Sequence, residues 1–103
     1  MNRNYLRSIP REWRIISRAF TALGDEHRQR ILLTFEKGER LHVGQIVEVS
    51  TLSRSAVSHH LHRLRDAGVL ESEKVGKEVW YWVDKKFLEE SLHAVLAYIR
   101  EHS

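Results

Sequence analysis

The stretch LSRSAVSHHLHRLRDAGVL, residues 52–70, constrains this chain most, because it fits a single helix with two unlike faces. Val57, Leu61 and Leu64 recur at i, i+4 and i+7, the spacing of one stripe along an α-helix. The other side carries Arg54, Ser55, Ser58, His59, His62 and Arg63, all short hydroxyls, imidazoles or guanidiniums. Ser53 suits the N-cap, where its oxygen can take a free backbone amide, and Gly68 suits the C′ position. Such a helix buries its aliphatic stripe in its own domain and offers donors to a polar partner. Phosphates and base edges in a DNA major groove match that chemistry.

The flanking sequence predicts what carries this helix. A first helix is expected from about Pro10 to Leu23, since proline suits a helix start and Gly24 interrupts the pattern. Ile9, Trp13, Ile16, Phe20 and Leu23 form its stripe, which Ile15, Ala19 and Ala22 widen. Asp25 is the expected N-cap of a second helix, Glu26 to Glu36, ended by Gly38. A short apolar piece at Leu41 leads to a third helix, about Val43 to Val49. Two short helices around a tight turn at 50–52 make a helix-turn-helix, with residues 53–66 as the second helix.

After Gly68 the period changes to two. Leu70 to Val75 and Glu78 to Val83 read as strands, and Gly76-Lys77 as a two-residue hairpin with glycine first. Val79, Tyr81 and Val83 share the face expected to pack inward. Trp80 and Trp82 share the other, which Arg7, Trp13, a partner subunit or an apolar effector would have to cover. A last helix, about Lys85 to Glu101, is apolar over more than one face through Leu88, Leu92, Val95, Leu96 and Ile99. The expectation is one domain over 1–103, mostly α with a small β-hairpin wing: about five helices and a two- to three-stranded antiparallel sheet. The broad apolar surfaces of the terminal helices, about 10–23 and 85–101, suggest a homodimer interface through Trp13, Ile16, Phe20, Leu88, Leu92, Val95 and Ile99. Two-fold symmetry then matches an inverted-repeat operator.

Together with LGDEHRQRILLTF at 23–35 and VGKEVWYWV at 75–83, the 52–70 stretch resembles the ArsR/SmtB family of bacterial winged-helix repressors, over roughly residues 19–100. The resemblance implies a homodimeric repressor whose first and last helices form the interface. Metal-sensing relatives often place thiolates in the segment resembling RLHVGQI, where this chain has His42. Others use a carboxylate and histidines on the last helix, at positions falling near Lys85, Phe87, Tyr98 and Glu101, of which only Glu101 retains a ligand type. The resemblance thus implies that the usual metal site is missing, so no metal and no cofactor is expected. A different site from Glu89, His93 and His102 is the metal alternative.

On this reading double-stranded DNA is met by Ser53, Arg54, Ser55, Ser58, His59, His62 and Arg63, with Lys74 and Lys77 of the wing reaching the backbone or minor groove. Glu73 and Glu78 beside them would weaken that field, and His60, nearer the buried edge, is read as structural. A net charge of +3, from 17 basic and 14 acidic residues, permits nucleic-acid binding without demanding it. The chain has no cysteine, which removes disulfides and thiolate chemistry. It has no apolar run long enough for a membrane span and no secretory pattern, so a cytoplasmic location is expected. No nucleophile with a base, paired carboxylates or phosphate loop appears, so no catalysis is expected. The alternatives are a metal- or pH-responsive repressor using histidines, and a winged-helix protein-interaction module working through Trp80 and Trp82. A small-molecule or protein effector is compatible with each.

Overall fold

A computed structural model describes residues 1–103 and gives five helices and three strands. Helix α1 (Arg11–Leu23) starts one residue after Pro10, whose carbonyl accepts from the amides of Trp13 and Arg14 at 3.0 and 3.1 Å. Its apolar surface divides by size. Ile16, Ala19 and Ala22 turn inward, where small side chains let the helix approach the core. Ile9, Trp13, Ile16 and Phe20 line an outward groove.

Asp25 caps α2 (Glu26–Thr34), its Oδ2 accepting from the Arg28 amide at 3.1 Å. That hydrogen bond, foremost, holds the Asp25 carboxyl below its ordinary value. The helix was expected to reach Glu36 but ends at Thr34. Thr34 bonds its hydroxyl back to the Arg30 carbonyl at 2.9 Å, and Phe35 turns extended, packing its ring against the core. Gly38 does not end the helix. It takes φ +71 in the following turn, closed by Glu39 N to Glu36 O at 3.0 Å.

Strand β1 (Leu41–His42), α3 (Val43–Val49), α4 (Arg54–Asp66), β2 (Leu70–Val75), β3 (Glu78–Val83) and α5 (Lys85–His102) complete the chain. The sheet is antiparallel in the order β1-β3-β2, with Leu41 opposite Tyr81 and Leu70 opposite Val83. At the β2–β3 tip only Gly76 has positive φ, +62, as a type II′ hairpin requires of its first turn residue. The core gathers Ala19, Ala22, Ile31, Leu41, Ile46, Val57, Leu61, Leu64, Val69, Leu70 and Tyr81. It lies between the helices and the inward face of the sheet, and burial pushes the Tyr81 hydroxyl above its ordinary pKa.

The tryptophan face of β3 is covered from within the chain, by neither Arg7, Trp13 nor a partner. Arg40 stacks 3.9 Å above the Trp82 ring, Trp82 Nε1 donates to Glu71 at 3.0 Å, and His42 meets Trp80 edge-on at 4.9 Å. Helix α5 begins on Asp84, whose Oδ1 accepts from the Phe87 amide at 3.1 Å, and seats Phe87 and Leu88 on the core. Beyond that it runs outward, helping to stretch the molecule to 52 Å along its longest axis. Ser91 is its only buried residue, and the Trp13 ring meets Tyr98 edge-on at 5.4 Å. No helix is long and apolar enough to cross a membrane.

Candidate nucleic-acid interface

Helix α4 is fixed at both ends. Ser53 Oγ accepts from the Ala56 amide at 3.2 Å. After Asp66, Val69 N reaches Leu64 O and Gly68 N reaches Arg65 O, each at 2.9 Å, the paired bonds of a Schellman motif. Gly68 stands at φ +86, and a Cβ there would lie 3.1 Å from the Phe87 ring. Only glycine fits both the backbone and the space. The reading helix and the first turn of α5 are thereby locked together.

Val57, Leu61 and Leu64 are fully buried, and that sets the rotation of α4 about its axis. Ser53, Arg54, Ser55, His59, His62 and Arg63 are exposed, while Ser58 is half-buried. Ser53 has its oxygen engaged by the cap and lies 3.3 Å from the Ser55 hydroxyl. His60 packs on the inner flank, its Nδ1 3.4 Å from an Arg28 guanidinium nitrogen and its ring 5.8 Å from that of His27. Burial lowers its pKa, against a raising influence from Asp25.

Arg63 and Arg65 leave opposite flanks, since two residues turn an α-helix by about 200°. Arg65 faces a recess with Glu71 and Trp82, while Arg63 faces α1. In the wing, Lys74 and Lys77 are exposed and in no ion pair, whereas the two glutamates thought to offset them are engaged elsewhere. Glu73 holds Arg40 at 3.0 Å, and Glu78 lies 3.6 Å from His42 Nδ1. The lysine field at the tip is therefore less compensated than the sequence suggests.

Of the residues predicted for a dimer surface, Phe20, Leu92 and Ile99 are exposed. Ile16 is buried in its own subunit, Leu88 packs on its own core, Trp13 meets Tyr98 and Val95 is half-buried. Sequence reasoning left out Ile9, Ile15, Leu96 and Tyr98, which are open apolar surface on the same two helices. Their hydrophobic spacing was the available signal. It also left out Arg40 and Arg28, which no local pattern marks.

The positions where metal-sensing relatives carry ligands are occupied here by other work. His42 Nδ1 is buried without a hydrogen-bond partner, Phe87 sits against Gly68, and Lys85 lies 3.8 Å from Glu89. Tyr98 stacks on His102 at 4.4 Å, and Glu101 lies 3.9 Å from the same imidazole. No three histidine, aspartate or glutamate side chains come together to hold a metal ion. The residues present do not fit the usual site.

Comparison with known proteins agrees with this geometry. Residues 25–72 match the model of the bacterial regulatory protein, arsR family. The transcriptional repressor SdpR of Bacillus subtilis is 29% identical over 86 residues, which cover 84% of this chain and 94% of that protein. An ArsR-like transcriptional regulator from Rhodococcus superposes with a TM-score of 0.78 at 27% identity, covering 86% of this chain and 83% of that one. A homodimeric winged helix-turn-helix DNA-binding domain from Mycobacterium bovis has the same fold, with a TM-score of 0.67 at 21% identity and coverages of 87% and 82%. The helix-turn-helix at residues 25–72 is that of an ArsR-family DNA-binding transcriptional regulator, carried here on a winged-helix fold.

Proposed function

We propose that the chain acts as a homodimeric repressor in the cytoplasm, binding an inverted-repeat operator through α4 and the wing and performing no catalysis. The observation that carries this is the capped α4 with its stripe fully buried and Arg54, Ser55, His59 and His62 held outward. Ser53 and Ser55 at the helix start meet phosphate, Arg54, Ser58, His59 and His62 meet base edges, and Lys74 and Lys77 meet backbone. Phe20, Leu92, Leu96 and Ile99 supply open apolar surface for the second copy. The homodimeric M. bovis domain of the same fold supports that assembly. Two-fold symmetry would place the reading helices about 34–36 Å apart. Selection of bound sequences from random duplex DNA should enrich an inverted repeat at that spacing, and failure to enrich any repeat at low salt overturns the reading.

A pH-responsive form of the same repressor is favoured by His59 and His62, both exposed on the reading face. Protonation would add cations beside DNA and tighten binding as the pH falls. Operator affinity that stays constant between about pH 6 and pH 8 at fixed salt refutes it.

A further inference from the structure

The flank of α4 away from the wing carries a groove that the reading face does not use. It measures about 280 Å³ and is lined by Ser17, Arg18 and Thr21 of α1, Arg28 of α2, and Arg63 and Asp66 of α4. We infer that this groove holds a phosphate group of the DNA strand bordering the site that α4 reads, making α1 a second DNA-contacting element. The inference rests on the proposed DNA binding through α4 and assigns the flank that reading left open.

Three observations carry it. Arg28 is pinned, its Nε donating to Ala22 O at 2.6 Å and a terminal nitrogen to Thr21 O at 3.4 Å. It is a cation placed before any ligand arrives, so little ordering entropy opposes binding. Arg18 and Arg63 are exposed and lie within ion-pair distance of no carboxylate, while Asp66 faces Arg65 at 3.3 Å. Three guanidiniums against one carboxylate leave the groove cationic, with the Ser17 and Thr21 hydroxyls available as further donors.

The third observation is position. A helix lying in the major groove has a phosphate backbone on each side. Arg65 marks the wing flank of α4 and Arg63 the α1 flank, one helical turn after the exposed His59. The strand opposite the wing therefore passes the mouth of this groove. Free phosphate has the same chemistry but no such alignment.

The test is fluorescence anisotropy with the selected duplex and a random duplex, over about 0.05–0.3 M salt, on the intact chain. Arg18→Ala should weaken both duplexes alike, by about eightfold near 0.1 M salt, and lower the salt slope by about 0.9, the signature of one lost phosphate contact. Asp66→Asn should do the opposite, tightening both, a gain that misfolding cannot imitate. If both variants bind either duplex as the parent does, the groove is not a DNA contact, although the reading of α4 survives. If the parent binds no duplex, the proposed function itself fails. Calorimetric titration with inorganic phosphate distinguishes the second source. Tight phosphate binding lost in Arg18→Ala, with DNA affinity unchanged, overturns the inference in favour of a soluble anion.

Discussion

Replacing Gly68 by alanine tests whether the reading helix and the outer helix are locked by one glycine. At φ +86 a Cβ costs about 1–2 kcal/mol through the left-handed backbone alone. The same Cβ would stand 3.1 Å from Phe87 Cε2 and Cζ and 3.3 Å from Cε1, so the ring must leave its seat on the core. Overpacking of that kind adds about 1–3 kcal/mol. The total of about 2–5 kcal/mol is a large part of the ~5–15 kcal/mol stability of a typical domain. Leucine at 87 lacks the three crowded atoms. In a Phe87→Leu background Gly68→Ala should therefore cost only the backbone part, about 1–2 kcal/mol. Urea denaturation of the four proteins at one protomer concentration, held fixed because dimer stability follows mass action, gives the coupling energy. We expect about 1–3 kcal/mol of coupling. Equal costs in the two backgrounds would refute the role given to the Phe87 ring. A cost below about 0.5 kcal/mol in the parent would refute the left-handed geometry too.

Leu92→Glu, at an exposed and apolar point of α5, should leave the helical circular dichroism intact and shift sedimentation from two chains towards one; an unchanged dimer places the interface elsewhere. Arg54→Ala or His59→Ala should change base preference, whereas Lys77→Ala should weaken all duplexes evenly and lower the salt slope by about 0.9; identical behaviour of the two kinds refutes the division of contacts. Burial holds His60 below its ordinary value, so the folded chain binds fewer protons there than the unfolded one, and stability should fall as the pH drops through about 6.5, the loss being complete below the lowered folded value. Asp25, also lowered, acts only below about 3.8, so His60→Gln should flatten the melting temperature between about pH 7.5 and 5.5, and an unchanged slope counts against a buried neutral imidazole.

The features legible in the sequence are those set by a few adjacent residues. Asp25 and Ser53 as caps, Gly68 as the C′ residue and Gly76 in the hairpin all follow from local backbone chemistry and appear as expected. The end of α2 was not legible, because Thr34 and Phe35 stop the helix by a back-bonded hydroxyl and a ring drawn to the core. The sequence also could not tell which half of the wide apolar face of α1 turns inward. Alanines take the inner side because α1 must come close to α4, a fact about distance rather than periodicity. For the same reason Arg40 over Trp82 was invisible, since its partners lie across the sheet.

The candidate site divides along that line. Val57, Leu61 and Leu64 have no exposed surface, so turning α4 by one residue, about 100°, would drive a polar side chain into a core without partners for it. The direction in which His59 and Arg54 point is thus decided by residues that touch no DNA. A stripe of three aliphatics fixes where the helix looks, and substitutions on the polar face can change what it reads without disturbing the core. The flanks obey a different rule. What Arg63 and Arg65 meet depends on α1 and β2, elements far from them in sequence, so two arginines that look equivalent in HRLRD serve different surfaces. A reading face can be found from one helix alone, whereas a phosphate groove beside it requires the fold.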